Sequence, residues 1–380
     1  MKIVADENIP LLYEFFSEVG DIYPLPGRTL SAAEVRDADV LLVRSVTSVN
    51  AELLAGSKVR FVGTATIGCD HVDLEYLHRS GIAFASAPGC NARGVVEYVL
   101  ASLSILFEQE GRPWKGTRIG IVGLGNVGGR LKAVLENLGC EVLACDPLLQ
   151  EQGVAGLVSL EEVLECDVIS LHTPLTRTGA HPTFHLLNAE RLARISPHQI
   201  LINTARGPVI EEAALLEKLQ HEPQWSVVLD VWETEPRVNP ELLRRVQMGS
   251  AHIAGYSLDG KMRGTEMIYQ ALCRHLQIPI RHRLQDFLPA TELAELRFGA
   301  SVAPYDALST AIRACYDPRT DDALLRRALR LPSAEHATAF DRLRKDYRVR
   351  REFGLTRVSF TATHSEAADL LQAAGFDTGR

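Results

Sequence analysis

Several features are missing from this 380-residue sequence, and each absence excludes a class of protein. No apolar run approaches the roughly 20 residues that a membrane-spanning helix needs, so no membrane partner is expected. The opening MKIVADENIPLLYEFF has no long apolar core and carries Asp6, Glu7 and Glu14, so it does not read as a secretory signal. The seven cysteines are odd in number and form no C-x-x-C pair. That argues against a disulfide frame or a zinc site, and for reduced thiols in a cytoplasmic protein. Excess positive charge is absent too: 40 Lys and Arg stand against 48 Asp and Glu, a net charge of −8. Without a global positive field, no nucleic-acid partner is expected. Repeats and low-complexity tracts are also lacking.

What is present is an ordinary globular mix, 46% hydrophobic and 23% charged. Residues 1 to about 90 alternate short apolar runs (KIVA, VLLV, RFVG, IAFA) with helical patterns. Apolar runs without polar alternation, joined by helices, predict parallel strands buried on both faces. A long helical pattern follows from Gly94 to Gln109, punctuated by Pro113 and Gly116. A second α/β series has the strands RIGIV, EVLAC, DVISL, QILINT and SVVLDV, and SLEE at 159–162 has the spacing of a capping box. After about residue 285 the texture changes. DALLRRALRL reads as a helix, and RVSFTAT puts Val358, Phe360 and Ala362 on one face of a strand. THSE (363–366) is placed to cap the next helix and Gly375 to stop it. The expected fold class is therefore α/β, with two doubly wound parallel-sheet domains and a smaller C-terminal α+β domain.

The sharpest local pattern is RIGIVGLGNVGG. Gly123, Gly125 and Gly128 give G-x-G-x-x-G between an apolar strand and a helical pattern. Glycines there allow a tight turn and let the backbone approach a pyrophosphate, which the helix N-terminus then attracts. Asn126 and Val127 add backbone N–H groups. Asp146 ends the next strand, where a carboxylate accepts from both ribose hydroxyls and repels a 2′-phosphate. The expected cofactor is NAD. The competing reading is a Rossmann-like domain that binds no nucleotide.

Three residues fall just past strands of this second series: Arg206 in NTARG, Glu235 in VWETEP and His252 in SAHIAGYS. Singly, they read better as a surface ion pair, a solvated loop residue and a packed or surface histidine. Ligands of doubly wound sheets sit at the carboxyl ends of strands, so the three can meet at one rim. As a set they suit hydride transfer from an alcohol carbon. His252 takes the hydroxyl proton, Glu235 fixes the ring tautomer and favours its protonated form, and Arg206 grips a substrate carboxylate.

The stretches ATIGCDHVDL, NARGVVEYVL, IGIVGLGNVG, LHTPLT, LINTARGPVIEEAAL, LDVWETEP and AHIAGYS run in one order over about 200 residues. In this the chain resembles the D-isomer-specific 2-hydroxyacid dehydrogenases. The resemblance implies that Arg206, Glu235 and His252 are catalytic. It implies a flavodoxin-like split substrate domain of residues 1–93 and 255–285, a Rossmann NAD domain of 94–254, and a C-terminal dimerisation domain of 286–380. By position it points to Ser45, Thr66 and Tyr256 as substrate contacts, and to Thr173, Ala205, Asp230 and Gly255 on the nicotinamide side. The family often has proline before the catalytic histidine; here it is Ala251.

MKIVADENIP, RSVTSVN, GYSLDGKMRGT and the C-terminal extension are similar to family members that oxidise a four-carbon phosphorylated 2-hydroxy acid and form homodimers. Such a phosphate needs its own cation. Arg44 is one candidate. The other is DRLRKDYRVRRE (341–352), six Lys and Arg with three acids, which reads either as a solvated helix face or as a source of Arg348 or Arg350 for a partner subunit's cleft. Two rival functions remain at this level: a dehydrogenase for another acid such as 3-phosphoglycerate, and a NAD-sensing protein without catalysis.

Overall fold

The computed structural model of the chain describes residues 1–66 and 68–379. Ile67, inside the ATIGCDHVDL stretch, and Arg380 lie outside the described residues. Two units are present: Met1–Asn91 with Ser257–Ala290, and Ala92–Tyr256 with Thr291–Arg380. Among the described residues no helix is long and apolar enough to cross a membrane.

The first unit is built on five parallel strands: β1 (Lys2–Asp6), β2 (Asp21–Leu25), β3 (Val40–Val43), β4 (Phe61–Thr64) and β5 (Ala83–Ala85). Their order is β2-β1-β3-β4-β5, the flavodoxin-like order, with the winding reversing at β1. β3 and β4 are buried along their whole length, as their unbroken apolar runs require. β2 is the strand that the sequence hides. DIYPL carries Pro24 and is largely solvent-facing, which only an edge position tolerates. The returning helix Leu258–Leu276 buries Ile268, Tyr269, Leu272 and Cys273 in the same core as Phe15 and Phe16.

The second unit has six parallel strands: β6 (Arg118–Val122), β7 (Glu141–Cys145), β8 (Val168–Leu171), β9 (Ile200–Asn203), β10 (Val227–Leu229) and β11 (Met248–Gly249). Their order is β11-β10-β9-β8-β6-β7, so the winding reverses at β6, which carries the glycine loop. Ser159 and Glu162 form the expected capping box.

The C-terminal residues share this second unit. They add a two-stranded parallel sheet, β12 (Glu295–Phe298) with β13 (Arg357–Phe360). Helix Pro304–Cys315 buries Ala307, Leu308, Ala311 and Ile312 in the core that surrounds helix Ala92–Glu110. THSE does not cap: helix Ser365–Ala373 starts after His364 without a side-chain cap, and β13 ends before Ala362. Gly375 follows that helix at φ 103, a left-handed stop open to glycine at no steric cost.

Helix Ala92–Glu110 is apolar almost all round and accordingly buried, with one acid inside it. Glu97 is 1% exposed and accepts from the Phe353 backbone at 2.7 Å. Burial first, then the charge of Glu352, pushes its carboxyl up to about 8, against the opposing pull of Arg350. A raised carboxyl favours the protonated folded state. Its stabilising contribution is complete below the unfolded value of about 4.3 and is lost as pH rises through about 8. Thermal melts across pH should therefore show Glu97→Gln gaining on the wild type between about pH 5 and 8. Parallel curves for the two proteins would contradict this account.

Candidate active site

The site grows from strand register. Asn203, Leu229 and Gly249 are matched across β9, β10 and β11, so the residues that follow leave the sheet side by side. Arg206, Asp230 and His252 come within three residues of those ends. Arg206 starts the turn Gly207–Val209, which lies against the chain after β10. A Cβ on Gly207 would sit 2.0 Å from the Trp232 carbonyl, so only glycine permits this approach. The Arg206 guanidinium donates to the Ala205 carbonyl at 2.8 Å.

His252 and Glu235 meet. Nδ1 of the ring lies 2.8 Å from Oε2 of the carboxylate. The other carboxylate oxygen accepts from the Trp232 backbone at 2.9 Å. Burial works to raise the Glu235 carboxyl. The charge and hydrogen bond of His252, the Trp232 N–H and the charge of Arg344 outweigh it and hold Glu235 below its ordinary value. Glu235 is thus an ionised acceptor, and Nδ1 must be the donor. That leaves Nε2 as the basic atom of the neutral ring.

The backbone at His252 is in the left-handed region, φ 56, which costs a non-glycine residue about 1–2 kcal/mol. Asp230 holds it there. Its carbonyl accepts from the His252 N–H at 2.7 Å, and its carboxylate accepts from Ser250 Oγ and from the N–H groups of Ile253 and Ala254. Tyr98 donates in turn to Ser250 Oγ at 2.8 Å, and the Trp232 indole donates to the Ser250 carbonyl. Burial keeps Asp230 above the usual carboxylate value in spite of His252 and these donors. Ser250 and Tyr98 escape sequence reading because nothing local marks a buried hydroxyl pair 152 residues apart. A second pair, His185 with Glu233 at 2.7 Å, is a brace: Glu233 and Glu212 each accept the other's backbone N–H.

The nucleotide residues surround β6 and its neighbours. Gly123 has φ 92, and a Cβ there would lie 2.8 Å from the His172 carbonyl. A Cβ on Gly128 would lie 1.9 Å from the Gly123 carbonyl, while Gly125 faces open space. Asn126 and Val127 lead into helix Gly128–Asn137, which has no side-chain cap and no acid in its first turn. Its positive end is left for an anion. Asp146 accepts from Leu124 N–H with one oxygen and from Leu149 N–H with the other, keeping capacity on both for ribose hydroxyls. Thr173 Oγ1 is buried beside this loop without a partner. An uncapped helix end, glycines that clear a path and an orphaned hydroxyl all fit NAD. Ala205 is nearly buried, and Gly255 follows the loop that Asp230 secures.

In the other unit, Ser45 is exposed in the turn after β3. Thr66 Oγ1 lies 2.8 Å from Thr64 Oγ1, which lies 3.0 Å from His71 Nε2. Tyr256 packs edge-on against Tyr347 and beneath the Arg344 guanidinium.

A nucleotide loop at the reversal point of a parallel sheet, with a histidine–glutamate pair beyond neighbouring strand ends, defines an NAD-dependent dehydrogenase. The family model "D-isomer specific 2-hydroxyacid dehydrogenase, NAD binding domain" matches residues 106–254, and a domain of unknown function (DUF3410) matches 287–375. The chain is 53% identical to the erythronate-4-phosphate dehydrogenase of Marinobacter nauticus and 52% to that of Hahella chejuensis, over 99% of each chain. Among solved structures it resembles an Aquifex aeolicus D-lactate dehydrogenase with NAD and lactic acid, at 25% identity and a TM-score of 0.59 over 73% of this chain and 96% of that one. A NAD-bound 3-phosphoglycerate dehydrogenase of Entamoeba histolytica shares the fold, at 24% identity and a TM-score of 0.61 over 74% and 98%. The chain belongs to the D-isomer-specific 2-hydroxyacid dehydrogenase family.

Asp230→Asn tests the loop's anchor. The amide offers one oxygen where three donors converge, so a donor is left facing an NH2 group. The expected cost is about 1–3 kcal/mol of stability, read as a lower melting temperature. Turnover should fall further than stability, because the loop carrying His252 is released. Wild-type melting with wild-type turnover would refute this role.

Proposed function

We propose that the chain oxidises erythronate 4-phosphate at C2, with NAD, to (R)-3-hydroxy-2-oxo-4-phosphooxybutanoate, on the route to pyridoxal 5′-phosphate. The observation that carries the reading is the 2.8 Å pair of His252 and Glu235 at the strand ends of a NAD-binding sheet. The substrate follows from relatives of that name at 53% and 52% identity along nearly the whole chain.

When bound, NAD accepts the hydride that leaves C2. The remaining work falls to side chains. Nε2 of His252 takes the C2 hydroxyl proton, and Glu235 offsets the charge of the imidazolium that results. Arg206 binds the carboxylate and polarises the forming carbonyl oxygen. Ser45, Thr66 and Tyr256 complete the substrate contacts. Gly123, Gly125, Asn126, Val127, Gly128, Asp146, Thr173, Ala205, Asp230 and Gly255 hold the nucleotide. A homodimer through residues 286–380 belongs to the same proposal, supported by Leu324, Leu331 and Val349, large apolar side chains left exposed there. The seven free cysteines support a cytoplasmic setting.

Single-turnover NADH fluorescence, with erythronate 4-phosphate, 3-phosphoglycerate and D-lactate compared, tests this. The four-carbon phosphate should give the dominant signal. His252→Ala and Glu235→Gln should each lower the rate, roughly 100- to 10,000-fold for the histidine. A dominant signal from another acid discards the substrate. An undiminished rate in His252→Ala discards the mechanism.

A further inference from the structure

We infer that Arg344 binds the phosphate of the substrate, from within the same chain. This rests on the function just proposed and names the cation which that substrate requires. The basic run 341–352 offers three arginines whose surroundings differ. Arg348 is paired with Asp321 at 3.4 Å. Arg350 is 2% exposed and donates to the carbonyls of Gly94 and Ala254 at 2.6 and 2.7 Å. Arg350 is thereby committed inside the unit, while Arg348 stays exposed with its charge shared with Asp321.

Arg344 is different. It lies in the last turn of helix His336–Lys345, with its guanidinium 5.7 Å from the Tyr256 ring centre and 6.0 Å from that of Phe340. It hydrogen-bonds Tyr256 and is attracted by Glu235 and Asp230. Tyr256, whose ring it faces, is four residues along the chain from His252, which brings Arg344 toward the histidine–glutamate pair. Among the described residues no carboxylate forms an ion pair with it, and its Nε–H is buried without a partner. Glu235 is already taken up by His252 and the Trp232 backbone. A charge drawn out of water in this way is costly unless an anion completes it. A phosphomonoester suits the planar fork of donors, which can donate to two of its oxygens at once. In a four-carbon acid the phosphorus is only four bonds from C2, so an arginine near the proton-transfer pair is within its reach.

The test uses the full-length protein and Arg344→Gln and Arg344→Lys variants, with melting curves to check folding. Turnover is compared for erythronate 4-phosphate and unphosphorylated erythronate, and inorganic phosphate is titrated as a competitive inhibitor. Arg344→Gln should shrink the preference for the phosphorylated acid roughly 30- to 100-fold, mainly through KM, and weaken phosphate inhibition by a similar factor. Arg344→Lys should retain part of both, and it carries the test if Arg344→Gln does not fold. Equal losses for the two acids, or a lower kcat with phosphate inhibition intact, would overturn the assignment and make Arg344 a positioning residue for Tyr256 and Glu235. If the wild type prefers an unphosphorylated acid, the substrate reading fails by itself. Inorganic phosphate inhibition then decides on Arg344: weakened in Arg344→Gln it stands, unchanged it falls.

Discussion

A single buried carboxylate holds the catalytic rim together. Asp230 follows β10 at 1% exposure and gathers three donors from the next chain segment. Its own N–H reaches back to the Asn203 carbonyl on β9, and its carbonyl receives His252. One residue thus ties the strand ends that carry Arg206, Glu235 and His252. The arrangement has a cost in both desolvation and backbone strain. The converging hydrogen bonds offset that cost. Neutralising this carboxylate in place would loosen the loop before it altered any group that touches substrate.

The C-terminal residues act on the same segment from outside. Asp322 accepts from the Gly249 N–H at 2.8 Å, where the segment begins. Arg350 donates to the Ala254 carbonyl, where it ends. Arg326 caps the carbonyls of Leu243 and Val246 just before β11. The short strand and its histidine loop are therefore clamped at both ends by charged side chains from beyond residue 291. The extension also finishes the packing of the unit that holds the chemistry.

The sequence was legible where the cause of structure is local. Unbroken apolar runs gave the parallel strands, glycine spacing gave the phosphate loop, and SLEE gave its capping box. β2 escaped because an edge strand with Pro24 needs no apolar continuity. The parallel pairing of β12 with β13 joins segments more than 50 residues apart, which no window reveals. THSE had the right letters, but the helix began a residue later. The pairing of Glu235 with His252 could be expected from chemistry, since both follow strands of one sheet. The place of Arg344 could not, since it depends on how a helix of the extension lands on the catalytic unit.

Charge explains why that landing matters. The proposed substrate carries a carboxylate and a phosphate, while the chain has a net charge of −8. Its overall field repels such a molecule, so attraction has to be local and short in range. In the proposed mechanism Glu235 adds a further negative charge beside the reacting carbon. In that mechanism the imidazolium of His252 offsets it once the C2 hydroxyl has given up its proton. Before that step, Arg344 is the cation that lowers the Glu235 carboxyl from outside the pair. A guanidinium there, permanently charged, adds its pull to those of His252 and the Trp232 N–H in holding Glu235 ionised, and can still meet an anion. Lysine would supply the charge without the planar fork, and a histidine would tie substrate binding to pH.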